Sequence, residues 1–219
     1  MKHQEVIRRI TATGIVPVVR APSSDDALKV VDAVRAGGID VVEITMTVPG
    51  AVELVHELTR RCGEEVVVGA GTVLDAETAR ACILAGAAFV VSPILDEATI
   101  TCCRRYGVPV MPGALTPTEV VRAWQAGADI VKVFPCGAMG GASYVKSLKA
   151  PLPQIELVPT GGVSLGTVAD FIRAGACAVG AGADLVDVAA VRQGKAERVT
   201  ESARQYLQAI RSARAEVAP

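Results

Sequence analysis

The strongest constraint on this chain is a repeat. Short apolar runs recur eight times, and an amphipathic stretch follows each. The runs are Ile15–Arg20, Asp40–Thr45, Val66–Gly69, Ala88–Ser92, Pro109–Met111, Asp129–Phe134, Glu156–Pro159 and Ala178–Gly180. They are rich in Val and Ile and nearly continuous in hydrophobicity, the pattern of strands buried on both faces of a parallel sheet. The stretches between them carry helical spacing, as in Ala27, Val30, Val31 and Val34, or Val120, Val121 and Trp124. Strand alternating with helix predicts a parallel sheet joined by right-handed crossovers.

Punctuation supports this reading. Ala36-Gly37-Gly38, Ala85-Gly86-Ala87, Ala126-Gly127-Ala128 and Ala174-Gly175-Ala176 each fall between a helical stretch and the next run. A glycine there suits the left-handed residue that ends a helix. Helix starts are signalled at Ser24-Asp25, Asp75, Asp96, Thr116-Pro117 and Ser164. Eight units favour a single closed (β/α)8 TIM barrel over a doubly wound sheet, and the first run lacks the glycine-rich turn of a dinucleotide-binding fold. An extra helix is expected before Ile15 and another over Lys195–Ala213, all within one domain spanning 1–219.

Composition narrows the function classes. Of 219 residues, 51% are hydrophobic and 21% charged, enough for a large core. A net charge of −1 and 3% aromatics leave neither a basic stripe nor stacking platforms, so no nucleic-acid partner is expected. No apolar run is long enough to span a membrane. Six scattered cysteines without a C-x-x-C pair read as reduced thiols in a cytoplasmic protein. With two histidines and no His/Cys cluster, no metal site and no cofactor are expected.

In barrels of this type, reactive groups gather where strands end. Lys132 stands between core residues in Ile130-Val131-Lys132-Val133-Phe134. Period two places it on one face with Ile130 and Phe134. Facing inward, its amine would be desolvated, which favours the neutral form that attacks a ketone. Facing the mouth, it would pair with an acid or reach water. Glu43, in Val41-Val42-Glu43-Ile44-Thr45, reads either as a general base raised by burial or as the ion-pair partner of Lys132. Pro159-Thr160-Gly161-Gly162-Val163 after the seventh run and Gly180-Ala181-Gly182 after the eighth read as a phosphate cradle or as tight turns. Gly69-Ala70-Gly71-Thr72, after the third run, reads as close backbone packing with Thr72 at the mouth. Arg20 ends the first run as a carboxylate clamp or a rim charge. Cys136, beyond the lysine run, has no nearby His base and reads as a spectator.

Taken in order, Glu43-Ile44-Thr45-Met46-Thr47-Val48-Pro49, Gly69-Ala70-Gly71-Thr72-Val73, Val91-Ser92-Pro93, Met111-Pro112-Gly113, Lys132-Val133-Phe134-Pro135 and Pro159-Thr160-Gly161-Gly162-Val163 resemble the 2-dehydro-3-deoxy-6-phosphogluconate (KDPG) aldolase family, which includes 4-hydroxy-2-oxoglutarate (KHG) aldolase. The resemblance runs from about Glu5 to Val186. It implies a class I aldolase, a homotrimer, cleaving KDPG to pyruvate and D-glyceraldehyde 3-phosphate through a Schiff base on Lys132, with Glu43 as acid/base. By the same resemblance, pyruvate contacts fall on Thr72, Pro93 and Phe134, and the phosphate loop on Gly161, Gly162 and the Gly182 turn. Two positions depart from the pattern: Thr47, where many members carry arginine, and Ala183-Asp184, where many carry serine. An acid beside a phosphate is unfavourable, and Asp184 would otherwise cap a helix. The alternatives are an aldolase for a non-phosphorylated 2-oxo acid such as KHG, and a non-catalytic sugar-phosphate-binding barrel.

Overall fold

The computed structural model describes residues 1–217. It is an α/β fold with a curled parallel sheet and helices packed outside it. The chain runs α1 (His3–Thr13), β1 (Ile15–Val19), α2 (Ser24–Ala36), β2 (Val41–Thr45), α3 (Ala51–Cys62), β3 (Val67–Gly71), α4 (Ala76–Leu84), β4 (Val90–Val91) and α5 (Glu97–Tyr106). It continues through β5 (Val110–Met111), β6 (Gly113–Ala114), α6 (Pro117–Ala126), β7 (Val131–Val133), α7 (Ala142–Lys149), β8 (Leu157–Pro159), α8 (Val168–Arg173), β9 (Val179–Ala181), α9 (Val188–Arg192) and α10 (Glu197–Val217). Six strands pair in the order β5-β4-β3-β2-β1-β9, and three in the order β6-β7-β8.

All eight apolar runs contain a strand. The fifth continues past Pro112, whose ring nitrogen has no proton to donate, so the strand is interrupted and resumes at Gly113. The helix-ending glycines behave as expected: Gly38, Gly86, Gly127 and Gly175 all have positive φ. Asp75, Asp96 and Thr116 cap α4, α5 and α6, the last through a full capping box with Glu119.

Some expectations need correction. The cap of α2 is Ser23 rather than Ser24, because Ser23 is the residue whose hydroxyl reaches the Asp26 amide. Ser164 opens a turn, and α8 begins only after Thr167. Gly69 to Gly71 lie inside β3 rather than after it, and Gly180 and Ala181 lie inside β9, leaving Gly182 as the turn. In α6, Val120 is buried but Trp124 is 44% exposed. The C-terminal helix extends to Val217.

The core has two layers. The larger packs helices against the outer face of the sheet, through residues such as Val30, Leu58, Ile100 and Tyr206. The smaller lies inside the curl. Val16, Val41, Val67, Phe89, Val91, Met111, Ile130, Val158 and Ala178 join it from the strands or the residues just before them, with Val6 and Ile10 from α1. Positions four apart on a helix share a face, so α1 presents Val6 and Ile10 together. Arg9 holds α1 to Asp40, 2.6 Å away, and to the carbonyls of Glu64 and Glu65. His3 reaches Asp129 at 2.7 Å. Asp40, Glu65 and Asp129 all stand just before strands. The helix therefore covers the N-terminal ends of the strands and leaves their C-terminal ends open.

Ile10 is fully buried at this seal. Ile10→Ala is expected to lower the unfolding free energy by about 2–5 kcal/mol, the range for large-to-small changes in a core. Urea denaturation followed by far-UV circular dichroism measures it; a loss below about 1 kcal/mol would mean that α1 does not close the core.

Candidate active site

At the open end, two ionisable side chains stand inside the curl. Lys132, in β7, is 4% exposed, and Glu43, in β2, is 2% exposed. The strand period explains both. Ile130, two residues before Lys132, and Val41, two before Glu43, belong to the interior cluster, so the charged residues continue the same inward face one step nearer the mouth.

The two groups do not bond to each other. Glu43 Oε1 is buried without a hydrogen-bond partner among the described residues. Burial pushes the Glu43 carboxyl above its ordinary value of 4.5, against the smaller opposing pull of the positive charges on Lys132 and Arg20. The ammonium of Lys132 lies 5.2 Å from the centre of the Phe134 ring. The next strand makes room for Glu43: a Cβ on Gly71 would collide with its carboxyl, so β3 needs a glycine there. The next residue, Thr72, is the one non-glycine residue with positive φ among those described, at 58°.

A cavity of about 350 Å³ joins several predicted residues at the mouth. Arg20, Phe134, Thr160, Gly161, Gly162 and Gly182 line it, together with Ala183. Arg20 is exposed and its charge is felt at Glu43. Gly161 and Gly162 have φ of 88° and 76°, a pair of left-handed residues that L side chains rarely adopt. The Gly161 amide faces the Gly180 carbonyl across the bridge between Thr160 and Gly180, whereas, among the described residues, the amides of Gly162, Gly182 and Ala183 donate to no backbone carbonyl. A second cavity, also of about 350 Å³, adjoins through Phe134 and contains Pro93. Thr72 lines neither cavity.

One polar residue escaped the sequence reading. Thr45 is fully buried; its hydroxyl donates to the Val19 carbonyl at 3.0 Å and meets that of Thr47 at 2.7 Å. A carbonyl cannot donate, so the Thr45 proton points to Val19 and Thr47 must donate to Thr45. Thr47 therefore has no proton left to offer a carboxylate. Its signal was available: a hydroxyl at the end of an apolar strand. Asp184 accepts from the Leu165 amide at 3.0 Å and from the Tyr206 hydroxyl. It does not line the glycine cavity and caps no helix of its own. Among the described residues, no three His, Cys, Asp or Glu side chains cluster as metal ligands would. No described helix is long and apolar enough to cross a membrane. Burial pushes the Cys136 thiol up to about 11, which leaves it unreactive.

Lys132 and Glu43 line neither cavity; the arrangement is a buried amine and a buried carboxyl with an unused oxygen, at the end of the strands where Arg20 and the glycine-lined cavity also lie. Comparisons with known proteins point the same way. The family model described as KDPG and KHG aldolase matches residues 6–202. The chain is similar to the 2-dehydro-3-deoxy-phosphogluconate aldolase of Treponema pallidum, 33% identical over 196 residues, covering 90% of this chain and 93% of that one. It is also similar to the 2-dehydro-3-deoxy-6-phosphogalactonate aldolase of Escherichia coli, 35% identical over 205 residues, with 93% and 97% covered. Among solved structures, the Legionella pneumophila KDPG aldolase, with pyruvate captured as a covalent carbinolamine, superposes with a TM-score of 0.84 at 26% identity, covering 93% of this chain and 97% of that one.

The raised Glu43 carboxyl has a consequence for stability. A native state that binds this proton more tightly than the unfolded chain loses stability as pH rises above 4.5 toward the native value. Glu43→Gln removes that loss. The melting temperature of the variant, relative to the parent, is expected to rise from pH 4 to pH 8. A flat or falling difference in thermal scans would show that the carboxyl is not held protonated.

Proposed function

The chain belongs to the KDPG and KHG aldolase family, and from that premise we propose that it cleaves 2-dehydro-3-deoxy-6-phospho-D-gluconate to pyruvate and D-glyceraldehyde 3-phosphate as a class I aldolase. The observation that carries this reading is the inward-facing, buried Lys132 beside an unpartnered Glu43 carboxyl. A binder would gain little from burying an amine and an acid side by side without joining them.

In the proposed mechanism, the Lys132 amine attacks the C2 ketone and forms a carbinolamine. Glu43 supplies the proton with which the hydroxyl leaves as water, giving a protonated imine. The Glu43 carboxylate then takes the C4 hydroxyl proton as the C3–C4 bond breaks. The bonding electrons flow into the iminium as the aldehyde departs. The resulting enamine is protonated at C3, and water releases pyruvate from Lys132. A carboxyl held above its ordinary value suits both halves of this exchange, since efficient acid–base catalysis needs a pKa near the working pH.

Arg20 would hold the substrate carboxylate through its guanidinium, a role Thr47 cannot share once its proton is committed to Thr45. Phe134, Pro93 and Thr72 would contact the pyruvate portion. Thr160, the Gly161 backbone and the free amides of Gly162 and Gly182 would receive the phosphate. A second reading, cleavage of an unphosphorylated 2-oxo acid such as KHG, is favoured by Ala183, which brings no hydroxyl to that cavity.

The same proposal takes the two sheets as one closed (β/α)8 barrel, forming a single domain over 1–219, of which the last two residues lie outside those described. Support comes from the isolated bridge between Thr160 and Gly180, beside β8 and β9, and from the continuity of β5 and β6 through Pro112. The family resemblance adds a homotrimer, and the scattered thiols of the sequence a place in the cytoplasm; the chemistry assigned to Lys132 and Glu43 calls for no cofactor.

Incubation with pyruvate and borohydride, followed by peptide mapping, is expected to place one reduced adduct on Lys132 and none on Lys132→Met. An adduct elsewhere, or full turnover by Lys132→Met, would refute the assignment. Glu43→Gln is expected to lower kcat by roughly 10²-fold or more while trapping persists. Comparing kcat/KM for KDPG, its galactonate epimer and KHG fixes which substrate is preferred.

A further inference from the structure

Asp184 sits in the loop after β9 that carries Gly182 and Ala183, yet its carboxylate is absent from the cavity wall. One oxygen, Oδ1, takes two hydrogen bonds. The first comes from the backbone amide of Leu165, in the loop after β8, and the second from the hydroxyl of Tyr206, in α10. Tyr206 is fully buried, so its ring cannot swing aside. Its hydroxyl is pushed well above its ordinary value by burial, and further by the bond to Asp184 and that group's charge, so it remains a donor.

Each loop is also braced within itself. Thr167 Oγ1 accepts from the Ser164 amide at 2.9 Å and stands 3.0 Å from the Gly162 carbonyl, fixing the turn that follows the glycine pair. The amides of Leu185 and Val186 both donate to the Gly182 carbonyl, fixing the other turn. These braces act within one loop. Asp184 is the side chain that ties one to the other. The free amide of Gly162 stands on the first, and those of Gly182 and Ala183 on the second. An anion bound by both loops requires their amides to converge at a fixed spacing.

We propose that Asp184 is a positioning residue that sets the separation of the two glycine loops and thereby confers preference for a phosphorylated substrate. The carboxylate acts by geometry: turned onto Leu165 and Tyr206, it shapes the anion site without entering it. This proposal rests on the reading of the glycine cavity as the phosphate site.

The test compares steady-state kinetics on KDPG and on unphosphorylated KHG for the parent, Asp184→Ala, Asp184→Asn and Tyr206→Phe. Asp184→Ala is expected to raise KM for KDPG roughly 10-fold, the scale of one lost charge-assisted hydrogen bond, while both kcat values and the KM for KHG stay within about twofold. Asp184→Asn keeps an accepting oxygen in place and is expected to restore the parent KM. Tyr206→Phe is expected to give a smaller rise confined to KDPG, and it decides the matter if Asp184→Ala does not fold. Equal changes on both substrates, an unchanged ratio, or an Asn variant that behaves like Ala would overturn the proposal. If the parent itself treats KDPG and KHG alike, the phosphate-site reading fails first and this proposal with it. If the parent discriminates and Asp184→Ala discriminates equally, only the role of Asp184 falls.

Discussion

Two groups of opposite charge share the interior of the curled sheet without touching. Glu43 keeps an oxygen buried and unbonded, and it feels the charge of Lys132 only through space. A direct ion pair would have satisfied both and fixed both as ions. Kept apart, neither is fixed by the other, and burial moves the carboxyl toward its neutral form. The rest of the structure serves this separation. The inner cluster of Val, Ile, Met and Phe side chains supplies the low-dielectric floor, and α1 closes that floor from below. The loops at the opposite end supply the cation and the free amides, where water and substrate have access.

The division between a sealed end and an open end has a chemical logic. Interactions at the sealed end, such as Arg9 with Asp40, are multiple and redundant. At the open end they are sparse by comparison. Arg20 and the amides of Gly162 and Gly182 keep their donors unspent, while the hydroxyls of Thr45 and Thr47 are already committed. Stability and chemistry are thus assigned to opposite ends of the strands, so changes in the upper loops can alter what is bound without loosening the core.

Much of this could be read from the sequence, for identifiable reasons. A strand buried on both faces has few places for a charge, so Lys132 and Glu43 stood out from their apolar neighbours. Helix ends were legible because Gly38, Gly86, Gly127 and Gly175 answer to local backbone geometry alone. Reading failed where the reason for a residue lies far along the chain. Gly69-Ala70-Gly71 reads as close packing just beyond a strand; the packing is there, but inside β3, where Gly69 accommodates the Phe89 ring and Gly71 the Glu43 side chain. Asp184 looked like an acid intruding on a phosphate or capping a helix; its partner, Tyr206, is on the last helix. Pro112 hid the continuation of its strand, because a missing donor breaks a ladder without ending the extended backbone.

The contact between Gly71 and Glu43 also governs the paths by which such a chain can change. Any side chain at position 71 must wait until position 43 has shortened, whereas position 43 can vary while the glycine remains. The order of substitution is therefore directional, and the double change is reachable from one side only. Libraries that randomise β3 alone will return glycine at this site and suggest a backbone requirement, although the residue is dictated by a carboxyl on the neighbouring strand.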